Sequence, residues 1–244
     1  MRDYHPLIKK ILKKQVKKSE HEQASKKMEL GVYRASQVGT CGRLQQYRAL
    51  GYSAEKESPE LIVGIFNDGN MHHDETRRLM GEVGTLTHVE QGLTKLYKYK
   101  GESFRITGHI DGKWNGKLFD IKSIGTYGFK SLNKNFPEDY MHYIYQITIY
   151  MDMLGDKEAM FVFKDKNTGE LRVIEVEFDK DVLKKALQKV YEVHVGIKEN
   201  LNIEDKKKHK LIIQPYSPSH YYCKGCVFRQ HCRNQPMEGR TWSE

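Results

Sequence analysis

Long hydrophobic runs are missing from this sequence, and no stretch approaches the roughly 18 consecutive apolar residues that a membrane-spanning helix needs. The first residues, Met1 to Leu7, also lack the apolar block of a secretory signal. We therefore expect a cytoplasmic protein without membrane contact. With 38% hydrophobic and 30% charged residues, the 244-residue chain has the composition of a globular protein with enough length for one substantial core.

Cysteine is also scarce, with four residues in the chain: Cys41, Cys223, Cys226 and Cys232. So few cysteines in a cytoplasmic chain argue against structural disulfides. Three of them lie within ten residues at the spacing of metal ligands, far from Cys41. This spacing suits either an iron–sulfur cluster or Zn²⁺, for which His220 and His231 are substitute ligands. The alternative is that Cys41 is a buried free thiol.

Acidic residues are outnumbered, since 32 Asp and Glu stand against 41 Lys and Arg and give a net charge of +9. Positive charge is concentrated near both ends of the chain. Such surfaces attract phosphate backbones by releasing counterions, although a solvated lysine-rich face has the same composition. Nucleic acid is the partner that this charge favours. The lysines expected to track its backbone are Lys13, Lys14, Lys17, Lys18, Lys206, Lys207 and Lys208.

The hydrophobic pattern divides the chain into three parts. Residues 1–30 are predicted to form a basic helix or arm, residues 31–202 the core, and residues 203–244 a basic loop with a cysteine-bearing tail. The predicted helices run from an N-cap at Ser36 to about Leu50, from Pro59 to Met80, from Tyr140 to Leu154, and from Asp181 to Leu201.

Short β-like runs begin at Thr85, where the helical pattern stops. The predicted strands are Thr85–Glu90, Leu93–Tyr99, Phe104–Trp114, Lys117–Ser123, Ala159–Lys164 and Leu171–Phe178. Asn115-Gly116 is a strong hairpin turn between the third and fourth. The sequence therefore predicts an α/β fold in which a central mixed sheet is flanked by helices.

Two carboxylates and a lysine lie at the third and fourth predicted strands. Side chains alternate along a strand, so Asp120 and Lys122 face one way, and Asp111 can approach Asp120 across the hairpin. Two converging carboxylates suit Mg²⁺ or Mn²⁺, and a lysine nearby can orient water or stabilise charge on a phosphate. A solvent-facing strand with ordinary charges is the alternative for an isolated Asp-x-Lys.

Five short motifs in this order resemble the PD-(D/E)XK nucleases, particularly their RecB-like branch, which includes CRISPR-adaptation nucleases and the AddB nuclease domain. The motifs are Tyr33-Arg34-Ala35-Ser36 leading to Cys41-Gly42-Arg43, Gly69-x3-His73, Asp111 with Asp120-Ile121-Lys122, Gln146-x3-Tyr150, and Cys223-x2-Cys226-x5-Cys232. The resemblance implies a restriction-endonuclease-like core whose two ends are joined by a four-cysteine [4Fe–4S] cluster.

The resemblance also implies roles for single residues. His73, rather than the adjacent His72, is expected to bind Mg²⁺ or Mn²⁺, together with Asp111, Asp120 and the Ile121 carbonyl. The residues implied to be catalytic are Asp111, Asp120, Lys122, Gln146 and Tyr150, and those implied to contact DNA include Arg43 and Tyr143. Gln146, Tyr150 and Tyr143 share one helix face, which a buried aromatic stripe would resemble.

The expected function is metal-dependent hydrolysis of DNA, with exonuclease action on single strands or DNA ends as the subtype that the resemblance favours. The helicase pattern G-x4-G-K-[ST] is missing from the sequence. The expected context is therefore recombination, repair or CRISPR spacer processing, in the host cytoplasm if the chain is phage-encoded. The expected partners are DNA and either further copies of the chain or recombination or CRISPR proteins. The alternative is a non-catalytic DNA-binding or scaffold protein.

Overall fold

The computed structural model describes part of the chain in detail: residues 6, 10–11, 29–54, 59–212, 223 and 226–233. The four lysines predicted to contact DNA in the N-terminal arm, and His220, lie outside these residues. None of the helices in the described part is both long and apolar enough to cross a membrane.

In the described part of the chain, six α-helices lie around the sheets. They are α1 (Gly42–Ala49), α2 (Pro59–Val83), α3 (Thr126–Asn135), α4 (Met141–Leu154), α5 (Lys180–Asn200) and α6 (Arg229–Arg233). Short 3-10 turns cover Ala35–Gln37, Glu138–Tyr140 and Lys206–Lys208. α2, α4 and α5 confirm predicted helices, and α5 begins where the Asp179 side chain accepts hydrogen bonds from two backbone N–H groups.

Eight strands, counted over the described ranges, form two sheets. They are β1 (Val32–Arg34), β2 (Leu86–Thr87), β3 (Gly92–Tyr99), β4 (Glu102–His109), β5 (Gly112–Trp114), β6 (Lys117–Ile124), β7 (Glu158–Asp165) and β8 (Leu171–Glu177). One sheet has the order β1-β4-β3 and the other the order β2-β5-β6-β7-β8. β6 and β7 are parallel while their outer neighbours are antiparallel, so the predicted mixed sheet with flanking helices is confirmed.

The single strand predicted from Phe104 to Trp114 is wrong, because the chain leaves one sheet after His109 and enters the other at Gly112. Gly112 has a φ of +149°. A Cβ atom there would lie 3.0 Å from two ring atoms of Phe119 and 3.2 Å from the Thr87 carbonyl oxygen. Glycine thus permits the change of direction that leaves Asp111 between the two sheets.

Two other predicted boundaries also differ from the structure. The helix predicted from Ser36 begins only at Gly42, after a 3-10 turn, and Cys41 occupies the N-cap position. The strand predicted for Thr85–Glu90 is limited to two residues, because His88 and Glu90 adopt positive φ angles that break the extended conformation. β1 and α3 were not predicted.

Alternation along β6 separates its two faces as predicted. Phe119 and Ile121 pack on one side of the sheet in an apolar cluster with Met80 and Val162. The larger core lies on the other side, beneath α4 and α5, and it is built mainly from aromatic and branched side chains of β4, β7 and these helices. Asp120 and Lys122 point to this α4 side, where they meet Gln146.

The two ends of the described chain meet in a separate apolar cluster. Tyr47 and Tyr52, from α1 and the turn after it, pack against Phe228 and Cys232 of the C-terminal segment. The Tyr47 and Phe228 rings lie 5.3 Å apart between centroids. Aromatic packing therefore joins α1 to the C-terminal segment, whereas the predicted four-cysteine cluster stays a prediction.

Candidate active site

Asp111 and Asp120 converge at the point where the two sheets separate. Asp111 lies in the connection from β4 to β5, and Asp120 lies in the middle of β6. The exposed fractions of these residues are only 8% and 3%. The Asp111 carboxylate accepts a hydrogen bond from the backbone N–H of Ile121 through Oδ2, at 2.6 Å. This bond fixes the connection to the central strand, directly beside Asp120.

α2 contributes an imidazole and a guanidinium group to the same carboxylate. His73 Nδ1 lies 3.0 Å from Asp111 Oδ1, and Arg77 Nη1 lies 3.6 Å from that oxygen. Arg77 also pairs with Asp74 and with Glu90 of the loop before β3. Sequence reasoning missed Arg77, although its spacing of one helical turn from His73 places both on one face of α2.

Lys122 extends from β6 toward α4. Its Nζ atom lies 2.6 Å from Asp120 Oδ2 and donates a hydrogen bond to Gln146 Oε1 at 3.2 Å. The ammonium group also lies 4.6 Å from the centroid of the Tyr143 ring, where a cation–π interaction stabilises its charge. Tyr143, which was predicted to contact DNA, is thus a half-buried wall of the Lys122 site.

Gln146 connects the lysine to the carboxylate. While Oε1 accepts from Lys122, Nε2 lies within hydrogen-bond distance of Asp120 Oδ1 at 3.2 Å and of the Tyr150 hydroxyl at 3.4 Å. Gln146 and Tyr150 are one turn apart on α4, so a single helix face supports the Asp120–Lys122 pair. The structure therefore brings together His73, Asp111, Asp120, Ile121, Lys122, Gln146 and Tyr150, all of which were predicted from sequence.

Tyr150 requires the glycine opposite it. A Cβ atom at Gly108 would lie 2.5 Å from the Tyr150 hydroxyl oxygen. We expect Gly108→Ala to displace Tyr150, weaken its contact with Gln146, and lower the free energy of unfolding by about 1–3 kcal/mol. Chemical denaturation measures the loss. Gly125→Ala is the control because an added Cβ there has no heavy atom within 4 Å; equal stability of the two variants would contradict the packing argument.

Burial and charge act in opposite directions on the ionisable groups of the site. Burial tends to raise the pKa of Asp111, but the hydrogen bond and charge of His73 outweigh it and hold this pKa below its usual range. Burial raises the pKa of Asp120, and the neighbouring Asp111 charge adds to that effect. The pKa of Lys122 is raised because the attraction of Asp120 exceeds the effect of burial.

These residue types fit a divalent cation. Asp120 Oδ2 is buried and, apart from its ion pair with Lys122, accepts no hydrogen bond of ordinary geometry from the described residues. Two buried carboxylates beside an imidazole form the oxygen-rich donor set that Mg²⁺ and Mn²⁺ prefer. Within the described ranges, no three His, Cys, Asp or Glu side chains already converge as metal ligands. Binding would therefore require these side chains to exchange their present partners.

Disulfide bonds do not join the four cysteines, all of which lie in the described part of the chain. Cys41 lies at the N-cap of α1, where its side chain forms no capping hydrogen bond. Burial raises the pKa of the Cys41 thiol, and the nearby Cys232 and Cys226 raise it further. The Cys226 N–H donates a hydrogen bond to the carbonyl oxygen of the buried Cys223 at 3.3 Å.

Two arginines beside these cysteines carry buried nitrogen atoms that lack hydrogen-bond partners in the described part of the chain, namely Arg43 Nη1 and Arg229 Nε. Thiolates are the ligands of iron–sulfur clusters and of structural zinc, but in the described ranges these cysteines do not converge as a group of three or more metal ligands. His231, the substitute zinc ligand, instead directs Nε2 to the Ser53 carbonyl oxygen at 2.8 Å.

Two of the residues predicted to contact DNA are directed inward. Arg43 is buried, and its Nε atom donates a hydrogen bond to the Ile212 carbonyl at 2.7 Å. Lys206 Nζ donates to the Gly51 carbonyl at 2.6 Å and lies 4.9 Å from the Tyr52 ring centroid. These contacts join the region of α1 to the segment that follows α5. Lys206 as a whole is nevertheless exposed, as are the neighbouring Lys207 and Lys208.

Comparison with solved structures shows that this chain shares its fold with one known protein. No protein-family profile and no curated protein sequence matches this chain. The crystal structure of a protein named SSO0001 is similar with a TM-score of 0.61 at 16% identity, covering 96% of this chain and 98% of that one. An alkaline exonuclease from Laribacter hongkongensis (LHK-Exo) aligns with a TM-score of 0.44 at 19% identity, over 70% of this chain and 91% of that one.

A phage-related exonuclease from Haemophilus somnus 129PT aligns with a TM-score of 0.45 at 14% identity, over 67% of this chain and 92% of that one. The two exonuclease similarities have TM-scores too low to assign a fold or an activity. The similarity to SSO0001 spans nearly the whole of both chains. Because its sequence identity is low, it shows that the two proteins share their α/β fold, and nothing about activity.

Proposed function

We propose that this chain is a divalent-metal-dependent DNA nuclease that hydrolyses phosphodiester bonds at the Asp111–Asp120–Lys122 site. The observation that supports this most strongly is the Asp120–Lys122–Gln146 network beside Asp111, buried where the two sheets separate. A pair of buried carboxylates with a charged lysine has no packing role that apolar residues would not fill better. The arrangement suits a site at which charge develops during a reaction.

The cation would be Mg²⁺ or Mn²⁺, held by His73, Asp111, Asp120 and the Ile121 carbonyl. When bound, it would supply Lewis-acid stabilisation of the negative charge on the phosphate. His73 Nδ1 lies 3.0 Å and Arg77 Nη1 3.6 Å from Asp111 Oδ1, so His73 would exchange this contact for the cation.

The protein's own groups provide orientation and charge. Lys122 directs its ammonium group into the site, where it can hold the attacking water or stabilise charge on a phosphate oxygen. Gln146 fixes that ammonium group by accepting one of its hydrogen bonds while its amide nitrogen steadies Asp120. Tyr150 keeps the Gln146 amide in this orientation.

The proposals about the type of nuclease, its biological context and its cysteine-bound metal rest on the sequence resemblance. Exonuclease action on single strands or DNA ends, in recombination, repair or CRISPR spacer processing, is the favoured subtype. A [4Fe–4S] cluster on Cys41, Cys223, Cys226 and Cys232 would join the two ends of the chain, and Zn²⁺ is the alternative. The second candidate function is a non-catalytic DNA-binding or scaffold protein. The intact and interlocked Asp111, Asp120 and Lys122 favour the enzyme.

Cleavage of end-labelled DNA tests the nuclease. We expect the wild type to degrade it with Mn²⁺ or Mg²⁺ and not with EDTA, and Asp120→Ala to lose all measurable activity because a cation ligand and the partner of Lys122 are removed. Asp156→Ala is the control, since Asp156 forms a comparable half-buried ion pair with Lys113 away from the site. Binding of DNA by the wild type without cleavage under every metal condition would instead establish the scaffold protein.

A further inference from the structure

α3 presents an exposed face that is both aromatic and basic. Tyr127, Lys130 and Lys134 are spaced three and four residues apart, so they share one face of this helix, and all three are exposed. The opposite face buries Phe129 and Leu132 in the core. The α3 sequence contains no acidic residue, and Tyr127 is 91% exposed. Among the described residues, these three side chains are neither packed in the core nor joined to an acidic partner by an ion pair.

The α3 face adjoins the candidate active site through two stacked rings. α3 begins directly after β6, the strand that carries Lys122. The Tyr140 hydroxyl donates a hydrogen bond to the Gly128 carbonyl in the first turn of α3, at 3.3 Å. Tyr140 stacks on Tyr143 with centroids 6.0 Å apart and planes 26° apart, and Lys122 Nζ lies over the Tyr143 ring. Tyr140 and Tyr143 thus link the first turn of α3 to the lysine side of the site.

Hydrogen bonds hold the start of α3 in place. The Thr126 hydroxyl donates to Asp165 Oδ1 at 3.0 Å, and Asn167 Nδ2 donates to Thr126 Oγ1 at 2.9 Å. The backbone N–H of Lys166 donates to the Ile124 carbonyl at 3.0 Å. Asp165 itself is buried. Tyr127 therefore projects from an anchored turn, so less backbone freedom is lost when its ring binds a ligand.

We propose that this face of α3 binds the single-stranded part of a DNA substrate, with Tyr127 stacking on an unpaired base and with Lys130 and Lys134 contacting phosphates. The inference rests on the proposed function in taking DNA as the ligand. An aromatic ring beside basic side chains on an anchored surface matches the chemistry of a single strand, whose bases expose their faces. A duplex offers this surface phosphates but no exposed base face along its length.

Fluorescence anisotropy with labelled oligothymidine in EDTA tests the surface without involving catalysis. We expect Tyr127→Ala to weaken binding by about 5- to 150-fold, the loss of one stacked base, and Tyr127→Trp to retain it. Affinity for a blunt duplex should change much less. Leu96→Ala, which removes a side chain from another exposed position on β3, should bind like the wild type. Lys130→Ala should lower the salt slope by about 0.7.

Unchanged oligothymidine affinity in Tyr127→Ala would overturn the inference, as would an equal loss of affinity for the blunt duplex. Failure of the proposed function looks different. In one outcome, the wild type binds oligothymidine in a Tyr127-dependent way and yet hydrolyses neither DNA nor bis(p-nitrophenyl) phosphate with Mn²⁺. That result would support the α3 binding surface and contradict the nuclease. Hydrolysis of both substrates, together with wild-type oligothymidine affinity in Tyr127→Ala, would support the nuclease and contradict the α3 binding surface.

Discussion

Replacing Lys122 with methionine is expected to slow metal-dependent DNA hydrolysis by about 10²- to 10⁴-fold, the range typical of a positioned proton-transfer or charge-stabilising group. Methionine keeps the length of the side chain and removes the ammonium group that lies 2.6 Å from Asp120 and 3.2 Å from Gln146. Lys122→Arg should not restore activity, because a planar guanidinium group cannot occupy the position of a compact ammonium group between these partners.

Activity in this experiment must be separated from folding. Removing one partner of a buried ion pair destabilises a protein by about 3–5 kcal/mol, so hydrolysis is measured at a temperature where circular dichroism shows the variant to be folded. Lys113→Met, which breaks the ion pair with Asp156, is the matched control and should hydrolyse DNA like the wild type. Activity of folded Lys122→Met within threefold of the wild type would show that Lys122 has no part in the chemistry.

Replacing Cys226 with alanine is expected to cost the protein its bound iron and much of its stability. The cluster would join Cys41 to the C-terminal segment across most of the chain, and by analogy with disulfide loops that constraint is worth on the order of 4–5 kcal/mol. Losing it should also leave the buried Arg43 and Arg229 nitrogen atoms without a negatively charged neighbour. Iron analysis after anaerobic purification and thermal unfolding measure the two effects.

Val227→Ala is the control for the cysteine variant. Val227 packs on the same aromatic cluster as Cys226. Its truncation should therefore lower the melting temperature modestly by loss of packing while the iron content stays at the wild-type level. A Cys226→Ala protein with unchanged iron content and melting temperature would refute the cluster. Zinc in place of iron in the wild type would leave the structural role intact and correct the identity of the metal.

The sequence predicted the parts of the site that depend on local pattern. Alternation places Asp120 and Lys122 on one face of β6 and Phe119 and Ile121 on the other, because a strand reverses its side chains at every residue. Helical spacing likewise puts Gln146 and Tyr150 on one face of α4. These periodicities follow from backbone geometry alone, so a single sequence is sufficient to predict them.

Tertiary contacts determine the features that the sequence did not reveal. The division of one predicted strand between two sheets depends on how Gly112 packs against Phe119. Arg77 gains its position near Asp111 only when α2 lies beside the β4–β5 connection. Arg43 is buried where its Nε atom meets the carbonyl group of Ile212, a residue far away in the sequence. Distant parts of the chain decide each of these outcomes.

Calorimetric titration of Mn²⁺ into the metal-free wild-type protein and into Asp111→Asn tests most directly whether Asp111 and Asp120 form a cation site. Asparagine keeps the shape of the side chain and removes the charge that His73, Arg77 and a bound cation would share. We predict binding by the wild type and loss of binding, by at least about tenfold in affinity, in Asp111→Asn. Equal Mn²⁺ affinity in the two proteins, or no binding by the wild type, would contradict a metal-dependent nuclease at this site.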